Sequence, residues 1–215
     1  MTGWLYILLA CFFSITVKAQ DTLFLKREQR SEPYPFYHAI FIDTASTFKR
    51  PLLRFDQNNY DSATYKSELH ELKQVHRIHI PEMPRRWIML HRYKGAYWLY
   101  SPSEWGGHYR FMITDSTTAD FTMEGPEPSA LRSIIRKGPG HWVIKRTNYW
   151  KGETVDIQMI DPAKGVAIFH FSPTRFQKKP YAIYMVDVAK AMQFPVIVNY
   201  CVTDKQDEFE FDPVR

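Results

Sequence analysis

Cysteine is almost missing from this chain. Only Cys11 and Cys201 occur among 215 residues, and Cys11 lies in a segment expected to be removed. What remains has no internal disulfide, which excludes a disulfide-stapled extracellular module and requires a core built by burial alone. Cys201 falls in the strand-like run 195–202 and is expected to be a buried, inert thiol.

Catalytic signatures are missing as well. There is no Gly-x-Ser-x-Gly elbow, no phosphate-cradling glycine loop and no dinucleotide fingerprint. His70-Glu71-Leu72-Lys73-Gln74 begins like a zinc-protease helix, but Gln74 stands where the second imidazole is required. His76 and His79 do not repair it, because their odd spacing along a strand sends them to opposite faces. Glu124 and Glu127 form a carboxylate pair in a proline-rich turn, where solvated charges are the simpler reading. No cofactor and no metal are expected, and the enzyme question leans to no.

Concentrated charge is also absent. The formal net charge is +5, yet the basic residues come in scattered pairs such as Lys26-Arg27, Lys49-Arg50 and Lys145-Arg146. Nucleic-acid binding needs a basic face, so a solvated surface is expected instead. Contact with an anionic envelope component is the residual reading. There is no internal repeat, no low-complexity stretch and no linker dividing the chain.

One long hydrophobic run is present, Trp4 to Val17, followed by Lys18-Ala19-Gln20-Asp21. Its length suits a signal peptide and is short for a membrane span. Val17-Lys18-Ala19 places cleavage after Ala19. No Lys or Arg precedes the run, and Leu8-Leu9-Ala10-Cys11 is a poor lipidation site because Leu9 is bulky. The expected organisation is a signal peptide over 1–19 and a single β-rich domain over 20–215. The product is exported, periplasmic or secreted, with no transmembrane span after cleavage.

Aromatic residues are what the chain has in excess, at 16%. From Arg86 to Phe171 they fall into period-two alternation: Tyr109, Phe111 and Ile113 against His108, Arg110 and Met112, then Val155, Ile157 and Met159 against Thr154, Asp156 and Gln158. That period is the pleat of a strand. Lys94-Gly95, Lys151-Gly152 and Asp161-Pro162-Ala163-Lys164-Gly165 supply turns. Short strands with a turn every 8–12 residues or so mark a sandwich or barrel. The expected fold class is all-β, mainly an antiparallel meander, built as a β-sandwich or β-barrel with one or two short helices.

Elsewhere 37–43 reads as a strand announced by Pro33 and Pro35, and 77–80 as a short strand stopped by Pro81 and Pro84. Residues 61–73 read as a helix capped by Asp61 or Ser62. Residues 129–137 are open between helix and strand. Residues 181–193 fit both periods, with a strand preferred for 181–187. Glu208-Phe209-Glu210-Phe211 alternates and is expected to pair with 196–202. The meander with a late helix and a final strand resembles lipocalin-type barrels, and Gly140-His141-Trp142 has the glycine–tryptophan spacing of their signature. In that family the motif opens the first barrel strand. Here too little chain follows it for eight strands and a helix, so membership is not assigned.

The aromatics on strand ends and in turns carry the functional reading. Trp98 and Tyr100 oppose Tyr97 and Leu99, Trp105 lies in a glycine-rich loop, and Tyr149-Trp150 precede a glycine turn. Amphipathic rings so placed suit stacking on a sugar or flat ligand, or a protein interface. The bland alternative is that both faces of these strands are buried. Three functions follow: an exported non-catalytic binding protein for a small apolar or carbohydrate ligand, a cell-envelope structural or interaction protein holding a protein partner, and a hydrolase of an envelope polymer. The first is preferred, with Trp98, Tyr100, Trp105, Tyr149 and Trp150 as ligand-binding residues.

Overall fold

Alternating burial marks the strands where the sequence period places them. In His141–Thr147, Trp142, Ile144 and Arg146 are buried while Val143 and Lys145 are not. The computed structural model describes residues 23–29, 37–55, 59–72, 75–103, 108–122, 124–148, 152–174, 177–201 and 209–214. The expected signal peptide, residues 1–19, lies outside them.

In chain order the elements are β1 (Leu23–Gln29), β2 (Tyr37–Asp43), α1 (Lys49–Leu52), α2 (Asn59–Glu71), β3 (Arg86–Tyr93), β4 (Ala96–Ser101), β5 (Arg110–Ile113) and β6 (Thr117–Thr122). There follow β7 (Gly125–Gly138), β8 (His141–Thr147), β9 (Gly152–Asp161), β10 (Val166–Phe171), β11 (Tyr181–Asp187), a 3-10 helix (Val188–Gln193) and β12 (Val196–Cys201). The fold is mostly antiparallel β, as the sequence period requires, and the described residues include three short helices where one or two were expected.

Strands β5 to β11 form one continuous antiparallel meander, and β3 closes it. Trp87 and Ile88 of β3 pair with Phe111 and Arg110 of β5, while Leu90 and Ile88 pair with Tyr184 and Val186 of β11. The result is a closed eight-stranded barrel, which leaves none of those strands an open edge over the paired length. The Gly-x-Trp motif heads β8, and four barrel strands precede it in the chain. Eight strands are thus reached by chain on both sides of the motif.

The lumen is filled with side chains. Trp87, Phe111, Ile144, Phe169 and Met185 are all fully buried there, and Phe169 lies edge-on to both Trp87 and Phe111 at centroid distances of 5.1 and 5.6 Å. Ile78, Ile80 and Met83 close one end against the same cluster. Their segment is not the expected strand: it runs unpaired along the barrel end, with Ile78 N–H donating to the Asp115 carbonyl. The indole N–H of Trp87 donates to Pro84 O, tying the plug to β3.

A second layer covers part of the barrel's outside. Past Leu90, β3 leaves the barrel and pairs with β4, which runs parallel to β12; β12 and β2 are antiparallel, and β1 is the edge. Leu99, Val196 and Val198 of this layer pack on Ile88, Val166, Ile168 and Val186 of the barrel wall. Its other face carries Ile40, Tyr100 and Ile197 under Phe209 and Phe211.

Several expectations are corrected or decided here. Residues 129–137 are strand, inside the 14-residue β7. Residues 181–187 are the strand preferred from sequence, and the helical face beyond it is the 3-10 helix, capped where Asp187 Oδ1 accepts from Ala189 N–H. Residues 209–211 do not pair with β12, one edge of which is taken by β2 and the other, over 196–198, by β4; Phe209 and Phe211 pack on the face of that layer instead. The ladder contact next to them is made by Asp212, which bridges to Arg92. Helix α2 starts at Asn59, so Asp61 and Ser62 lie within its first turn. Arg146 and Lys49 are not solvated surface charges: both are buried.

Candidate functional site

Strand β4 shows what became of the predicted aromatic site. Trp98 and Tyr100 share the face away from the barrel, opposite Leu99, as period two requires. Tyr100 is buried, its hydroxyl accepts from Asn199 Nδ2 and Phe209 N–H, and its ring meets the edges of His91 and Phe211. Trp98 is half-buried, and its indole donates to the Tyr93 carbonyl. Both faces of β4 are therefore packed. Trp105, Tyr149 and Trp150 lie outside the described residues.

A pocket of about 300 Å³ opens at the rim of the barrel, where β4 ends, β5 begins and α1 crosses. Its apolar side comes from Phe48, Pro51 and Leu52 with Pro102. Its polar side comes from Ser101, Ser103, His108, Arg110 and Thr122. Period two explains how His108 and Arg110 meet there: they share the face of β5 that points away from the lumen, opposite Tyr109 and Phe111.

Each polar group of the pocket is positioned by a named contact. His108 Nε2 lies 2.9 Å from the Leu52 carbonyl oxygen. Arg110 Nη1 donates to the Arg54 carbonyl, and its guanidinium lies 5.0 Å from the Phe121 ring centre and 5.7 Å from that of Phe55. Thr122 Oγ1 is 3.1 Å from Glu127 Oε1. Burial, opposed by the Leu52 hydrogen bond and aided by the Arg110 charge, lowers His108 to about 4. Burial and the neighbouring His108 lower His91 to about 4 too. Both rings are neutral at pH 7.

Inside the barrel at the same end is a charged cluster. Strands β6, β8 and β10 finish at that end and β5, β9 and β11 start there, so Asp120, Arg146, Phe171, Tyr109, Glu153 and Tyr181 converge. Arg146 donates from Nε at 2.9 Å and Nη2 at 2.7 Å to Glu153 Oε2, and from Nη1 at 2.5 Å to Asp120 Oδ2. Tyr109 donates its hydroxyl to Asp120 Oδ1. The Arg146 guanidinium also lies 5.3 Å from the Phe111 ring centre. Burial alone would lower the Arg146 pKa, but Asp120, Tyr109 and Glu153 more than offset it and hold the charge in place. Tyr181, stacked on Phe171 at 4.8 Å, is pushed up to about 12 by burial and then by Glu153 and Asp120.

These charges are spent on one another. A glycosidase keeps its two carboxylates apart across the sugar, whereas here a guanidinium stands between Asp120 and Glu153. The cluster holds one guanidinium against two carboxyl groups at the polar end of the lumen. Among the described residues no group of three or more His, Cys, Asp or Glu is placed to hold a metal ion, and no helix is long and apolar enough to cross a membrane.

No protein-family model matches the chain, and neither the curated proteins nor the solved structures include one significantly similar to it. Sequence reasoning missed the pocket because its walls come from α1, β4, β5 and β6. The available signal was the shared face of His108 and Arg110. Arg146 was missed because it looks like the second half of a surface Lys-Arg pair.

Proposed function

We propose that this chain is an exported, non-catalytic binding protein for a small ligand, taken at the pocket on the barrel rim. The observation that carries the reading is the pocket's make-up, about 300 Å³ with an apolar wall of Phe48, Pro51 and Leu52 facing the polar groups of Ser103, His108 and Arg110. A concave apolar site with a few converging polar groups is the common form of a small-molecule site. The lumen supports the reading by exclusion, since large side chains fill its middle and its charged end is internally satisfied.

An interaction role in the cell envelope is the second reading. It is favoured by edge strand β1, which among the described residues pairs only with β2 and carries the exposed side chains of Leu23 and Phe24.

Native mass spectrometry of the protein purified from its own cells tests the first reading, alongside Ser103→Trp and Ser101→Trp, which fill the pocket. A retained small molecule lost from both variants, with near-ultraviolet dichroism unchanged, is the expected result. A molecule retained equally by the blocked variants, or a ligand-free protein in which no member of a fragment library shifts the His108 ring resonances, sinks it. Amino-terminal sequencing of the same material should begin at Gln20.

A further inference from the structure

We draw no further inference here: the strongest candidate, the exposed aromatic patch that Phe24 and Tyr200 form through Phe41 and Phe48 on the second sheet layer, carries nothing because nothing in the structure shows what covers it.

Discussion

A single arginine shows how burial changes the meaning of a residue. Arg146 is 5% exposed and bridges two carboxylates inside the barrel. Removing one partner of a buried ionic group strands the others without a countercharge, at a cost of about 3–5 kcal/mol. Arg146→Met should lower stability by that amount in urea unfolding. Adding Asp120→Asn and Glu153→Gln to it should restore most of the loss, because no net charge then remains buried; failure to recover would mean that the arginine's packing on Phe111 matters more. Two partly buried histidines give a pH prediction. His91 and His108 titrate at about 4 in the fold against 6.5 for the free side chain, so the unfolded chain takes up protons first on acidification. Their stabilisation is complete above pH 6.5 and is lost as pH falls toward 4, by about 3 kcal/mol for one such ring. The raised carboxyls of Glu127 and Glu153 act in the opposite sense, so the decisive comparison is with a variant. His91→Phe, which suits a site stacked on Phe211 at 4.1 Å, should flatten the stability profile between pH 6.5 and 4. Parallel profiles would refute the assignment.

Among the elements, the carboxyl-terminal segment does work that no strand assignment would have given it. Phe209 and Phe211 cover the outer face of β4, and Asp212 accepts from Gly95 N–H to hold the segment at the β3–β4 turn. Phe211→Ala should cost about 2 kcal/mol, less than a full core deletion because the ring is only half-buried. Faster hydrogen exchange confined to β4 and β12 would confirm that it acts as a cover. Residues 209–211 also show why strand patterns mislead: alternation tells which side chains share a face, not which backbone is available to pair. Strand β7 gives the converse case. Pro126 and Pro128 argue for a turn or a helix start, yet both sit in a strand, opposite Phe121 and Ala119 of β6.

Across the whole molecule, closure is the decisive event. Residues 86–90 meet 184–187 and 110–112 to complete the barrel, so contacts far apart in sequence must form together. Folding should accordingly be slow, in milliseconds to seconds. Native-state hydrogen exchange should find the most protected amides in β10 and β11, which are paired on both sides and packed on both faces. The least protected should lie in β1, which among the described strands is paired only with β2. Uniform protection across both layers would contradict that order.

By itself the sequence determined what local physics controls. Period two in aromatic-rich runs and glycines at the turns were enough for an antiparallel meander, while whether its interior is filled or hollow was left open. The positive φ of Gly95 and Gly165 confirms two of the turns on which that reading leaned. Even the face shared by His108 and Arg110 was legible. Only the tertiary structure decided barrel over sandwich, since that depends on β3 pairing with strands on both sides of it. It alone turned the mixed face of β6 inward, setting Asp120 against Arg146, and it alone brought α1 to the barrel rim to make a pocket. These are meetings of distant residues, and no local period encodes them.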